Sequence, residues 1–368
     1  MVINILSTHR FHLLDLAREL SSQGNDVRYY SYVPTRRCAE FGIDPAICSN
    51  FLWLVWPFFL LEKIWLESYK EHLLRVRNHL IDWYVAHTMR RCEVCIGLGY
   101  VYQQSLVEAK HKWKALTILE WGSLHIVEQL RGFGRLNDYP RWKLRWEENG
   151  YNVSDYISVA SLLSADTFLQ HGIPSSRLYV NPYGVDLSQF HPTVRRGNYD
   201  LLYVGGWRKE KGCDLLTALC QQYKYRLLHV GAIVNLPFPD DPGMKHIDSV
   251  DQNQLSDYYQ QARVFVFPSR ADGFGMVLIQ AVACGLPIVC SQNTGIRDLR
   301  KAITSQQWMI EMEDLSVESL HQGIEAALAL SSTQTGLRDY AGQDIHNLTW
   351  QAYGQRYNQW LQSVLPSK

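Results

Sequence analysis

Two glycine-rich loops carry the residues best suited to chemistry. The first, Gly205-Gly206-Trp207-Arg208-Lys209-Glu210-Lys211-Gly212, follows an apolar run and opens a helical one. Glycine lets a backbone approach a ligand closely. A helix amino terminus adds unpaired N–H groups and partial positive charge. With the whole charges of Arg208, Lys209 and Lys211, the loop suits a diphosphate. Its glycine spacing is that of neither a dinucleotide fingerprint nor a P-loop, so it also reads as a solvated basic turn. The second loop is Ser269-Arg270-Ala271-Asp272-Gly273-Phe274-Gly275, running into an apolar helix from Met276 to Cys284 in which Gln280 is the polar exception. A buried amide must be hydrogen-bonded, either to neighbouring backbone or to a ligand hydroxyl. Asp272 and Gln280 stand eight residues apart, at most about 12 Å along a helix. That is close to the spacing of the two sugars that flank a diphosphate. A third polar loop, Ser7-Thr8-His9-Arg10-Phe11-His12, offers Arg10 and His12 to an acceptor phosphate, or else is solvated.

The elements that must position these loops alternate. Val2 to Leu6 reads as a buried strand, Phe11 to Ser22 as a helix with Leu13, Leu16, Ala17 and Leu20 on one face, and Val27 to Val33 as the next strand. Trp65 to Met89 reads as helical; Cys92 to Leu98, Ala115 to Leu119 and Tyr156 to Val159 read as strands. The second half repeats the theme, with strands at Leu201 to Val204, Arg226 to Val230, Val264 to Phe267 and Pro287 to Cys290. Helices are expected at Cys213 to Tyr223, Gln254 to Gln261 and Met276 to Cys284. This is an α/β pattern of two doubly wound domains, joined near Asn181-Pro182-Tyr183-Gly184. A final helix, Thr349 to Val364, should pack across the joint. Ligands of such sheets bind beyond the carboxyl ends of the strands, where all three loops lie.

Composition narrows the class. The chain of 368 residues suits two domains, and its 36 basic residues balance 36 acidic ones. A nucleic-acid partner is disfavoured, because such proteins show a basic excess. The 8 cysteines, several in apolar runs (Cys95, Cys284, Cys290), read as buried free thiols of an intracellular protein. The Cys92–Cys95 pair lacks the second pair or histidines that zinc needs. The amino terminus, a strand-length run that turns polar at once, does not read as a signal peptide. Phe51 to Leu61, FLWLVWPFFLL, is too short to span a bilayer. It reads either as a core helix or wall, or as an aromatic membrane-surface segment.

Four segments in order resemble glycosyltransferase family 4 of the GT-B fold. VGGWRKEKGCDLL is similar to its strand, phosphate loop and helix. FVFPSRADGFGMVLIQAVACGLPIVCS is similar to its signature of two glutamates separated by seven residues. NPYGVDLSQFHP resembles its domain-crossing segment, and EWGSLHIVEQ its histidine-bearing loop. The likeness covers the carboxy-terminal half well and the amino-terminal half weakly. It implies two Rossmann-like domains facing across a cleft. Residues 1–186, with a returning helix at 349–368, would bind the acceptor, and residues 187–348 the nucleotide sugar.

The resemblance also implies roles. Arg208 and Lys211 would neutralise the departing diphosphate beside Gly205 and Gly206, and His125 would face the donor sugar. Asp272, with Gly273 and the amides of Phe274 and Gly275, would hold sugar hydroxyls. Gln280 would bind the ribose, and Ser161 would line the cleft. The implied reaction is transfer of a hexosyl unit from a UDP- or GDP-sugar to a glycan or lipid-linked acceptor, with retention at the anomeric carbon and without a metal or other cofactor. Surface polysaccharide or glycolipid synthesis, in the cytoplasm or peripherally at the inner face of a membrane, is the implied setting. The sequence departs from the family at four points: Asp272 and Gln280 stand where glutamates are usual, Gly206 stands where an arginine is usual, and the Ser7–His12 loop stands where many relatives have glycines. The departures at Asp272 and Gln280 keep open a catalytically silent nucleotide-sugar-binding subunit. A sugar-nucleotide epimerase of similar fold is the other rival.

Overall fold

The short apolar runs form two fully parallel sheets, as runs buried on both faces do. The computed structural model describes residues 1–10, 12–64, 67–194 and 197–365. Phe11, Trp65, Leu66 and the last three residues of the expected returning helix therefore lie outside the described residues. The first sheet holds β1 (Val2–Leu6), β2 (Asp26–Ser31), β3 (Cys48–Asn50), β4 (Val94–Leu98), β5 (Leu116–Trp121), β6 (Tyr156–Val159) and β7 (Leu178–Val180) in the order β3-β2-β1-β4-β5-β6-β7. A two-residue strand, β8 (Thr193–Val194), follows. The second sheet holds β9 (Tyr199–Val204), β10 (Leu227–Val230), β11 (Met244–Ile247), β12 (Ala262–Phe267), β13 (Ile288–Cys290) and β14 (Met309–Glu311) in the order β11-β10-β9-β12-β13-β14. β15 (Leu337–Arg338) pairs with β8.

Register sets the carboxyl ends level. Ile5 of β1 pairs with Tyr29 and Ile96, and Leu202 of β9 with Leu228 and Phe265. β1 and β9 are each flanked by the strand that follows next and by a strand reached by a longer crossover. Both are thus topological switch points, where a doubly wound sheet opens a crevice. The loop after β1 is the Ser7–His12 loop, and the loop after β9 starts at Gly205.

The expected strand at 115–119 runs on through Glu120 and Trp121, which matters for the site. The expected strand at 27–33 stops at Ser31. Helices at Gln103–Trp113, Arg141–Val153, Leu162–Gln170 and Val317–Thr333 are additional to those expected from the sequence, although the last buries Leu320, Gly323, Ile324 and Ala327 at helical spacing. The Leu52–Ile64 helix is a wall with two sides: Val55 is buried, whereas Trp53, Trp56 and Leu60 face outward. All eight cysteines are free thiols.

The halves are tied through the segment after β7 and the last helix, Trp350–Val364, which is capped by Thr349. Asn181 donates to the Tyr353 carbonyl and accepts from Arg356, which also donates to the Pro182 carbonyl. Asn25, beyond the first helix (His12–Ser22), bonds Asn358 of the last one at 3.0 Å. Further along the interface, Asp298 accepts from the Leu162 N–H. Arg297 pairs with Asp166 at 2.5 Å.

Candidate active site

A cavity of about 860 Å³ lies between the two sheets at their carboxyl ends. Its walls come from the loops after β1, β4, β5, β9 and β12.

The second half supplies the floor. Gly212 ends the phosphate-type turn at φ +76, and a Cβ there would lie 2.1 Å from the Pro268 carbonyl oxygen. A glycine is therefore required, and the closeness binds this turn to the loop after β12. Tyr203 props the turn by donating to the Gly206 carbonyl at 3.0 Å. His229 bonds the Gly205 carbonyl at 2.9 Å, and His246 bonds its other ring nitrogen. Burial holds the pKa of His229 down to about 4, so it is neutral and donates from Nε2. Lys211 and Asp272, 61 residues apart, form an ion pair inside the cavity wall. The other oxygen of Asp272 accepts from the Phe274 N–H at 3.0 Å, which fixes the carboxylate over the start of the Met276–Ala283 helix. Arg208 lies against Gly206: its guanidinium nitrogen is 3.2 Å from where a Cβ of residue 206 would be. It fills the room that a side chain at 206 would take.

The first half supplies the opposite wall. His12 Nε2 meets Glu120 Oε2 at 2.9 Å, with both side chains nearly buried. Tyr183 stacks on the His12 ring at 4.5 Å and meets Phe274 edge-on at 5.6 Å, so one ring touches both halves. Arg10 bonds Gln252 of the other half at 2.5 Å and lies over the Phe41 ring. Gly273 marks the direct contact between halves: a Cβ there would be 2.4 Å from the Gly122 carbonyl oxygen.

Of the residues singled out from the sequence, Arg10, His12, Gly205, Gly206, Lys211, Asp272, Phe274 and Gly275 line the cavity. The rest are placed elsewhere. His125 caps the Ile126–Gly132 helix, where it accepts weakly from the Val127 N–H at 3.4 Å. Its ring stacks on His171 at 4.0 Å and packs beside Tyr151 and Phe168. Burial and the neighbouring His171 hold its pKa down to about 4. His125 is thus a packed histidine that caps its own helix and lies outside the cavity lining. Gln280 is buried under Tyr259, whose hydroxyl donates to it at 3.0 Å. Ser161 donates to the Gly273 carbonyl and caps the Leu162–Gln170 helix. It and Gly273 act at the seam between the halves. Arg208 sits beside the cavity over Gly206.

Among the cavity-lining residues not singled out from the sequence are Glu120 and Tyr183. Glu120 had a legible signal: a carboxylate ending an apolar run at the carboxyl end of a parallel strand. Tyr183 had none beyond its place in the crossing segment. Among the described residues, no group of three or more His, Cys, Asp or Glu side chains is placed to hold a metal ion.

Comparison with known proteins places this geometry in a family context. Residues 198–329 match the family described as Glycosyl transferases group 1. The chain is 30% identical over 149 residues to D-inositol 3-phosphate glycosyltransferase 2 of Catenulispora acidiphila, covering 32% of this chain and 35% of that one. It is 24% identical over 304 residues to glycogen synthase of Mycobacterium tuberculosis, covering 75% and 67%. The chain spans 35% to 44% of the length of the first three curated relatives. Among solved structures, sucrose-phosphate synthase (tll1590) of Thermosynechococcus elongatus superposes with a TM-score of 0.71 at 15% identity over 98% of both chains. Anabaena Alr3699/HepE, solved in complex with UDP and glucose, superposes with a TM-score of 0.67 at 13% identity over 99% of this chain and 100% of that one. The fold is that of the GT-B glycosyltransferases.

Proposed function

We propose that this GT-B chain is a retaining glycosyltransferase that moves a hexosyl unit from a UDP- or GDP-sugar to a glycan or lipid-linked acceptor. The observation that carries the reading is the Lys211–Asp272 pair beside the Gly205–Gly206 turn, inside a cavity walled by both halves. The matched segment, 198–329, contains the whole of that floor. The complex of the structural neighbour with UDP and glucose favours a uridine donor.

In this reading residues 187–348 hold the donor, and residues 1–186 with the returning helix hold the acceptor. Lys211, Arg208 and the turn amides neutralise the diphosphate as it leaves, so no metal is needed. Fixed donors aimed at developing charge are the largest single source of such rate enhancement. Asp272, held in place by the Phe274 N–H, and the amide of Gly275 hold sugar hydroxyls. His12, oriented by Glu120, holds the acceptor hydroxyl on the face from which the diphosphate departs. Positioning supplies the rest.

Membrane contact is part of the proposal. Trp53, Trp56 and Leu60 lie exposed on one helix, which suits an interfacial segment. Among the described residues no helix is long and apolar enough to cross a membrane. Flotation with anionic liposomes tests this: the chain should float, and a W53S/W56S variant should not.

Product analysis tests the reaction. Nucleoside diphosphate should form in step with a glycoside of unchanged anomeric configuration, and only when acceptor is present. An epimer formed without acceptor would replace the reading by an epimerase. Nucleotide-sugar binding without turnover on any acceptor would replace it by a silent subunit.

A further inference from the structure

A second cavity, of about 320 Å³, opens off the first at Tyr100, Tyr139 and Glu147, which line both. It runs between the helices Glu67–Thr88 and Arg141–Val153. Residues spaced by four share a helix face. On one side that face is Glu71, Arg75 and His79; on the other, Trp142 and Trp146 alongside Lys143 and Glu147. Lys143 joins the two helices by pairing with Glu71 at 3.2 Å.

The lining alternates rings and hydrogen-bonding groups. Arg75 lies 4.3 Å over the Trp142 ring, and His79 meets Trp146 edge-on at 4.5 Å. Trp146 is fixed by its N–H to the Tyr100 carbonyl, at 3.1 Å. Glu147 is 7% exposed and accepts from the Tyr139 hydroxyl at 2.5 Å. Trp142 is 38% exposed on this concave wall. An acyl chain would be poorly served by two carboxylates, an ammonium and a guanidinium. A pyranose is served by both: its C–H face packs on the negative face of an aromatic ring, and its rim of hydroxyls needs donors and acceptors. The volume holds about ten water-sized groups, roughly one sugar ring with its hydroxyls.

We infer that this groove is an acceptor subsite for a glycan. The acceptor is then an oligosaccharide: its terminal sugar lies beside His12 and Glu120, and the preceding sugar lies on Trp142 and Trp146, with Glu147 at the step between them. The inference rests on the transferase reading for what happens in the main cavity, but the binding it describes needs no donor.

The test is a glycan array probed with the intact chain in the absence of nucleotide, followed by titration calorimetry on the best glycan of two or more sugars. Wild type should bind such a glycan. Trp142→Ala should weaken it about three- to tenfold, the cost of losing one aromatic contact, while Trp142→Phe should retain most of it. UDP binding should be the same in all three proteins. Trp142 is partly exposed, so an unchanged melting temperature is expected for the alanine variant. Equal affinity in wild type and Trp142→Ala, or no binding to any array glycan, would overturn the subsite. So would Trp142-dependent binding of dodecylphosphocholine micelles without glycan binding. If glycans bind and nucleotides do not, the groove stands and the transferase reading falls.

Discussion

The two walls of the cleft are built differently. The floor in the second half is made of backbone: the turn at Gly205–Gly206, the glycine-locked Gly212 and the amides before the Met276–Ala283 helix. Its charged groups, Lys211 and Asp272, lie within a few residues of those turns. The wall in the first half is made of side chains from distant segments, with His12 after β1, Glu120 at the end of β5 and Tyr183 from the crossing segment. A diphosphate is common to many donors and is served by one local arrangement. Acceptors vary, and a wall of single side chains can change without disturbing a turn. The family match falls on 198–329 and not on the first half, as this division would produce.

The largest expected effect breaks the floor. Lys211→Ala removes a positive charge from the leaving diphosphate and leaves Asp272 without its partner. Transfer should fall by roughly 10²- to 10³-fold in kcat/KM, the usual cost of one such donor, with nucleotide affinity falling as well. Breaking the wall should do something different. Glu120→Gln weakens a charged hydrogen bond to His12, so kcat/KM should fall by about ten- to a hundredfold with UDP affinity unchanged. If nucleotide affinity fell equally in both variants, the division between the two walls would be lost.

Smaller effects sharpen the seam and the supports. Gly273→Ala places a methyl group 2.4 Å from the Gly122 carbonyl oxygen. The halves must then shift, at a cost of about 1–3 kcal/mol for overpacking, visible as a lower melting temperature and weaker transfer. His125 and His229 share a pH signature, one in each half. Both are held to about 4 by burial against an ordinary 6.5. Between those values the unfolded chain takes up protons that the folded one does not. Their contribution to stability is therefore complete above about pH 6.5 and is lost as pH falls towards 4. Melting temperatures at pH 7.5 and 5 should differ by several degrees, and His125→Phe should remove roughly half of the part due to this pair.

What was legible in the sequence follows the same division. The parallel strands were readable because they are continuous apolar runs, and the two catalytic-type loops because glycines and charges sit together in them. Asp272 and Lys211, site residues that the resemblance implied, line one cavity. The resemblance also led to His125, which the fold uses as a helix cap against His171, and to Gln280, which Tyr259 occupies. Nothing local distinguishes a histidine turned inward from one turned to the cleft four residues after a strand. Glu120 was readable as the carboxylate that follows the apolar run ending at Leu119, although its strand runs on through Trp121. The Arg141–Val153 helix was not singled out: it turns Tyr151, with Leu144 and Val153, to the core and Trp142 and Trp146 to the groove, so apolar residues lie on two faces. The departure at Gly206 made physical sense only in three dimensions, where Arg208 folds back over it.

The central claim is that the floor of this cleft holds a nucleoside diphosphate-sugar. A thermal-shift series against UDP-, GDP-, ADP- and dTDP-sugars, run on wild type and Lys211→Ala together, tests it most directly. At a hundred times the dissociation constant a ligand stabilises by about 2.7 kcal/mol, which raises the melting temperature by several degrees. One nucleotide class should give that rise in wild type and a much smaller one in Lys211→Ala. No rise with any of the four, or an equal rise in both proteins, would contradict the assignment of the donor site.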